Sequence, residues 1–188
     1  MIVWLSSLTL ALAIHGAPGA DCRQADDTML ALPLQDFDQG DEGWRSLESD
    51  GCEIAAADGI KQYRERNADT VMSADNTLVW HEAQLRASAG QTDAALELML
   101  SRRDTASPSI RPYTDATIAF LRRDRAGLLA ARDALVALPE PQAFRDAANR
   151  YAASYPDLPP LKWPLNLDVV DGLISCFDRP YSEAYECR

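Results

Sequence analysis

Apolar residues recur along this chain at steps of three and four, the period of a helix. Between Trp44 and Asn67 the pattern falls into two pieces, Trp44 and Leu47 on one and Ile54, Ala57, Ile60 and Tyr63 on the other, with Gly51 at the break. That predicts a hairpin of helices. The design returns from Asp75 to Arg102, where Leu78, Trp80, Ala83, Leu85 and Ala87 mark a first helix and Ala95, Leu98 and Met99 a second. Gly90 to Asp93 supplies the turn, with Thr92 or Asp93 as the capping residue. A third copy runs from Pro112 to Leu138: Tyr113, Ala116, Thr117, Phe120 and Leu121 form one stripe, and Asp124 caps a helix burying Leu128, Ala131, Leu135 and Leu138. Ser107-Pro108 and Pro139-Glu140-Pro141 bound this unit.

A further helix is expected from Gln142 to Tyr155, stacked as a fourth element through Phe144, Ala147, Ala148, Tyr151, Ala152 and Tyr155. The proline-rich stretch from Pro156 to Pro164 is an extended connector that lets the chain turn back. Beyond it Asn166 or Asp168 caps a helix carrying Val170, Leu173, Ile174 and Phe177, and a short segment from Pro180 to Cys187 closes a C-terminal cap. Upstream of Asp41 the chain reads as irregular and acidic. No stretch alternates apolar with polar residues, so the fold class is all-α, without a sheet.

Composition changes this picture in one respect, compartment. Residues 1–20 contain no charged side chain, and the apolar run from Ile2 to Ile14 breaks at Gly16, Pro18 and Gly19, ahead of small residues suited to cleavage. This reads as a secretory signal peptide. The run is too short for a good membrane span. The remaining chain divides into a helical-repeat domain over 21–160 and a capping segment over 161–188. Four cysteines, Cys22, Cys52, Cys176 and Cys187, then enter an oxidising compartment, periplasmic or extracellular, where two disulfides persist. Of three possible connectivities, Cys22 with Cys52 and Cys176 with Cys187 is preferred, because each ties a loop-rich terminal segment to a neighbouring helix.

Charge narrows the partners. The chain carries 29 acidic against 18 basic residues, a net charge of -11. Such a field repels nucleic acid and anionic lipid. Eleven acidic residues lie between Asp21 and Asp58, against Arg23 and Arg45 alone. A cationic partner steered to the N-terminal part is one account of that asymmetry; a solubilising surface is the other.

Candidate chemistry is sparse. Trp80-His81-Glu82 begins like a helical zinc-protease motif, but Leu85 occupies the position of the second histidine, and no other histidine follows residue 20. The cysteines lack the close pairs of a zinc site, so neither metal nor cofactor is expected. Phosphate loops, dinucleotide fingerprints and a nucleophile elbow are missing from the sequence. Carboxylate pairs are too abundant here to single one out.

Gly51-x4-Ala56 and Gly90-x4-Ala95 each set a turn glycine five residues before a small residue, and the third hairpin turns at Arg123-Asp124, giving spacings of 39 and about 33 residues. With Ala83, Gly90, Ala95 and Met99, the second unit resembles a degenerate tetratricopeptide repeat, and the resemblance spans roughly Trp44 to Leu138. It implies an α-solenoid whose inner groove, lined by the first helix of each hairpin, binds peptides or protein surfaces. Trp80, His81, Gln84 and Tyr113 are the expected contact residues: an aromatic anchor with polar neighbours. The expectation is an exported, non-enzymatic scaffold or adaptor. An inhibitor or immunity-type protein neutralising a basic enzyme, and a cell-wall hydrolase using carboxylates, are the alternatives.

Overall fold

The computed structural model describes residues 21–49, 51–71 and 75–187; the segment 1–20, expected to be a signal peptide, lies outside them. Every regular element among the described residues is helical. Two short helices, α1 (Asp27–Leu30) and α2 (Leu34–Gln39), lead into a single 3-10 turn at Trp44–Leu47. There follow α3 (Glu53–Arg66), α4 (Ala68–Val71), α5 (Asp75–Ser88), α6 (Thr92–Arg103), α7 (Arg111–Leu121), α8 (Arg125–Val136) and α9 (Gln142–Ser154). The chain ends on α10 (Leu167–Ser175) and α11 (Tyr181–Tyr185).

Two helix hairpins, α5–α6 and α7–α8, form the middle of the molecule, with α6 against α7 and α3 against the outer side of α5. Their turns are built differently. Gly90 takes φ 77°, a left-handed conformation that glycine adopts without a Cβ penalty. The second turn has no glycine: Arg123 adopts φ 57°, and its guanidinium donates to the Phe177 and Arg179 carbonyls of the C-terminal segment. Asp124 caps α8 as expected, accepting from Gly127 N at 2.9 Å. On α6 the N-cap position falls instead to Gln91, which makes no side-chain cap bond.

Apolar burial divides into two clusters with α5 between them. Leu78 and Leu85 face a core with Met29, Phe37, Trp44, Leu47, Ile60 and Tyr63. Trp80, Ala83 and Ala87 face another containing Met99, Tyr113, Phe120, Leu128, Leu135 and Leu173. An α-helix buried on opposite sides carries apolar residues on more than one face, which the crowded Leu78-Val79-Trp80 run records.

Several sequence expectations are corrected. Trp44–Leu47 is one 3-10 turn, so the first unit is no hairpin, and the helix that pairs with α3 is α5. Ile54 points outward at 43% exposure, and α3 buries Ala56, Ala57, Ile60 and Tyr63. The acidic stretch before Asp41 is not irregular: Asp26 caps α1 through Met29 N, and the ring of Phe37 on α2 stacks on Tyr63 at 3.7 Å. Asn166 holds the N-cap position of α10 with φ 63° but makes no side-chain cap bond. The largest departure is α9, which buries no residue. Its stripe of Phe144, Ala147, Ala148 and Tyr151 is half-covered, Ala152 is exposed, and Tyr155 is 54% exposed just beyond the helix. Phe144 meets Trp163 of the proline-rich connector, ring centroids 5.0 Å apart. Helical period reports which face is apolar, not whether another element arrives to cover it.

Both disulfides have the preferred connectivity, Cys22–Cys52 and Cys176–Cys187. The C-terminal segment packs along the hairpins: α10 lies on α7 and α8, and α11 reaches α5. A Cβ on Gly172 of α10 would sit 2.7 Å from the Cys187 carbonyl oxygen, so the close approach of these last turns requires glycine.

The unequal burial of α8 and α9 is testable. Leu135, fully buried, should cost about 2–5 kcal/mol on replacement by alanine, whereas Tyr151→Ala should cost below about 1 kcal/mol, both read from urea melts.

Candidate functional site

Two hollows flank α5. The larger, about 810 Å³, lies among α3, α4, α5 and α6, with Ala68, Val71, Ala94 and Leu98 among its lining residues. Its charges are mutually satisfied. Glu82, 2% exposed, accepts from Arg64 at 2.7 Å and from Arg86 at 2.9 Å; Arg86 also donates to Asp58 at 3.0 Å and to Gln91 at 2.8 Å. Adjacent residues on a helix project to different sides, so Glu82 faces away from His81 and serves an ion network joining α3, α5 and the start of α6. Sequence inspection noticed Glu82 only as half of a failed protease motif. The partner arginines sit 18 and 4 residues away along the chain, a separation that leaves no local signature for the more distant pair.

The second hollow, about 500 Å³, opens between the Trp44 turn, α5 and α11. His81, Gln84 and Ser88 line it from α5 at helical spacing, and Tyr181, Ser182 and Tyr185 from α11. Glu48, Glu53 and Glu186 contribute three carboxylates against the guanidinium of Arg45. Of the four expected contact residues, His81 and Gln84 reach this cleft. Trp80 and Tyr113, 7% and 4% exposed, pack on each other beneath it with centroids 5.1 Å apart. The Arg102 guanidinium lies 4.9 Å from the Trp80 centroid.

Asp38 holds the N-terminal wall in place. Its Oδ1 accepts from Trp44 Nε1 at 3.0 Å and meets His81 Nδ1 at 3.0 Å, while its backbone oxygen accepts from Arg45 Nε at 3.0 Å. Burial alone would raise the Asp38 carboxyl pKa, but the hydrogen bonds from Trp44 and Gln39 together with the His81 contact hold it below its ordinary value. Burial keeps His81 below the usual imidazole value, outweighing Asp38 beside it. The ring is therefore neutral near pH 7. With Nδ1–H given to Asp38, Nε2 is the basic nitrogen. Among the described residues no hydroxyl hydrogen-bonds His81, and all four cysteines are oxidised; the hydroxyls of Ser88 and Ser182 line the same cleft. No group of three or more His, Cys, Asp or Glu side chains among the described residues could hold a metal ion.

Three phenols, Tyr113, Tyr181 and Tyr185, cluster at the cleft floor. Burial pushes the Tyr113 and Tyr181 hydroxyls well above their ordinary pKa, leaving both neutral. Gln84 donates a long 3.5 Å hydrogen bond to Tyr113 Oη. Tyr181 is 4% exposed, and its Oη is the buried side-chain polar atom left without a hydrogen-bond partner among the described residues, although the Gln84 amide lies near enough to temper its pKa. Sequence reading missed Tyr181. The segment from Pro180 to Cys187 reads as a closing piece, and nothing local shows that it returns to Gln84, almost a hundred positions earlier.

Compared with protein-family models, curated proteins and solved structures, the chain matches none.

Three outcomes are expected. Glu82→Ala takes the buried acceptor from Arg86, whose side chain is 11% exposed, leaving it Asp58 and Gln91, and should cost about 1.5–3 kcal/mol, while Asp58→Ala, at the half-exposed end of the network, should cost about 1 kcal/mol or less, measured by chemical denaturation. Tyr181→Phe removes the orphaned hydroxyl and should leave the melting temperature unchanged or raise it, since an unsatisfied buried group costs about 1–3 kcal/mol. Because the folded protein resists protonating His81, stability should fall as pH drops below about 6.5, where the unfolded imidazole takes up its proton. His81→Gln should flatten that slope in melts between pH 7.5 and 5.5, conditions set by the same titration.

Proposed function

We propose that this protein is an exported helical-repeat module of degenerate tetratricopeptide-like build that acts by holding another protein, as a scaffold or adaptor in the periplasm or outside the cell. The carrying observation is the cleft beside α5, where an orphaned buried phenol, a polar α5 face and an acidic rim converge. Two disulfides suit an oxidising compartment. Among the described residues no helix is long and apolar enough to cross a membrane.

The inner groove expected between the first helices is partly filled by the chain itself. Tyr181 of α11 packs 6.0 Å from Phe120 of α7, and its helix lies against α5. A partner would therefore engage the α5–α11 margin rather than the full face of the hairpins. This reading explains why Trp80 and Tyr113 are buried while His81 and Gln84 stay accessible.

The asymmetric charge supports a second version, an inhibitor or immunity-type protein directed at a basic enzyme. The acidic stretch from Asp21 to Asp58 supplies Glu48 and Glu53 to the same cleft. Charge steering acts mainly on association rate and weakens with salt.

The test is affinity capture from the native cell envelope with oxidised wild-type protein and with Ser182→Trp, which fills the cleft from an exposed position. A stoichiometric protein retained by wild type and lost by the variant is expected. Retention at high salt marks the scaffold, and steep loss of on-rate marks the inhibitor. Equal retention by both proteins would remove the cleft from the account; an empty eluate would move the assignment to an enzyme or a small-molecule binder.

A further inference from the structure

We propose that the α5–α11 cleft is a receptor for one basic side chain, arginine in preference to lysine, presented by an extended segment of the partner polypeptide. This narrows the protein-binding reading and rests on it.

The rim sets the sign of the ligand. Glu48 follows the Trp44 turn, Glu53 opens α3 just after it and Glu186 follows α11, so two regions distant in sequence place carboxylates around one opening. Arg45 is the cation among them, and His81 is neutral. An anion entering here meets net negative potential, and an apolar group would desolvate carboxylates without replacing their partners.

The walls favour a planar cation. The chain's own Arg45 guanidinium already lies 4.3 Å from the Trp44 ring centroid, an internal instance of guanidinium stacking at this opening. Arg45 is exposed, and an entering guanidinium takes its place once the Arg45 Nε bond to the Asp38 carbonyl is released; the half-buried Tyr185 ring lines the opposite, α11 side.

The floor supplies what a compact ammonium uses poorly. Tyr181 Oη is buried, neutral and unpartnered, with lone pairs available to an N–H donor. Gln84, held to Tyr113 by a contact of 3.5 Å, lies over this phenol cluster and is the amide near Tyr181 that an entering guanidinium would have to displace. A guanidinium carries five N–H groups in a rigid fork, so one side chain can stack on an aromatic ring, pair with a rim carboxylate and donate to Tyr181. Lysine answers the charge and leaves the stacking unmet.

The oxidised protein is titrated at physiological salt with N-acetyl-arginine amide, its lysine and citrulline counterparts, and a blocked glycine pentapeptide with arginine at its centre. Binding is followed by NMR of the Trp44 indole and Gln84 side-chain amide. The arginine probe should saturate in the millimolar range, about tenfold tighter than uncharged citrulline and about fivefold tighter than lysine. The pentapeptide should bind tighter still if the source is a polypeptide; equal affinity for the lone arginine amide would point to a free guanidinium metabolite and overturn that part. Tyr181→Phe and Glu186→Gln, each with an unchanged melting temperature, should weaken the arginine probe about fivefold. Equal response to citrulline, shifts that spread over the acidic surface without saturating, or undiminished affinity in Tyr181→Phe would each sink the proposal. A protein captured in a cleft-dependent way while arginine probes stay silent would refute the cation assignment alone. Arginine binding with no protein captured would refute the partner reading alone.

Discussion

The arrangement depends on α5 having no free side. Leu78 and Leu85 close the N-terminal core, Trp80, Ala83 and Ala87 close the second, and Glu82 with Arg86 locks the helix to its neighbours through charge. What remains of its circumference, His81, Gln84 and Ser88, becomes the wall of a cleft. A helix in this position tolerates little variation, because each residue answers to a different neighbour. The low contrast between its faces, unlike the clear amphipathy of a surface helix, is the physical record of that position.

The two hollows beside α5 show how burial and satisfaction separate architecture from recognition. In the larger one the buried carboxylate of Glu82 is met by two arginines, and Arg86 has a second carboxylate in Asp58. In the smaller one a buried hydroxyl has no partner, and the surrounding charges are unequal. A closed network stabilises. An open one, with a donor or acceptor still to be answered, is where another molecule gains by entering.

The hairpins were legible because their signals are local. Gly90, Asp124 and the stripe from Tyr113 to Leu121 lie within a turn or two of what they determine. The disulfide pairing is preferred because each bridge ties a loop-rich terminal segment to a neighbouring helix, and both bridges form so, at separations of 30 and 11 residues. Failures came where the decisive contact is remote. Phe144 and Tyr151 carry the same periodicity as Leu128 and Leu135, yet only the latter pair meets another helix. His81 and Gln84 were identified as accessible polar residues on a first helix, but their companions Trp44, Tyr181 and Glu186 come from opposite ends of the chain. Trp80 reads as an anchor because tryptophan can serve a groove as well as a core, and its packing on Tyr113 of α7 beneath Arg102 of α6 places it in the core.

The close crossing at Gly172 bears on the order in which the molecule acquires its parts. The cleft needs Trp44 and Glu53 from early in the chain and Tyr185 and Glu186 from its last turns, so synthesis can build both hairpins before any cleft exists. Its formation waits for α11 to fold against α10, where Cys176–Cys187 fastens the segment. Such a long-range closure is entropically late. Until α11 is seated, both hairpins can stand complete while the hollow beside α5 has only one of its walls.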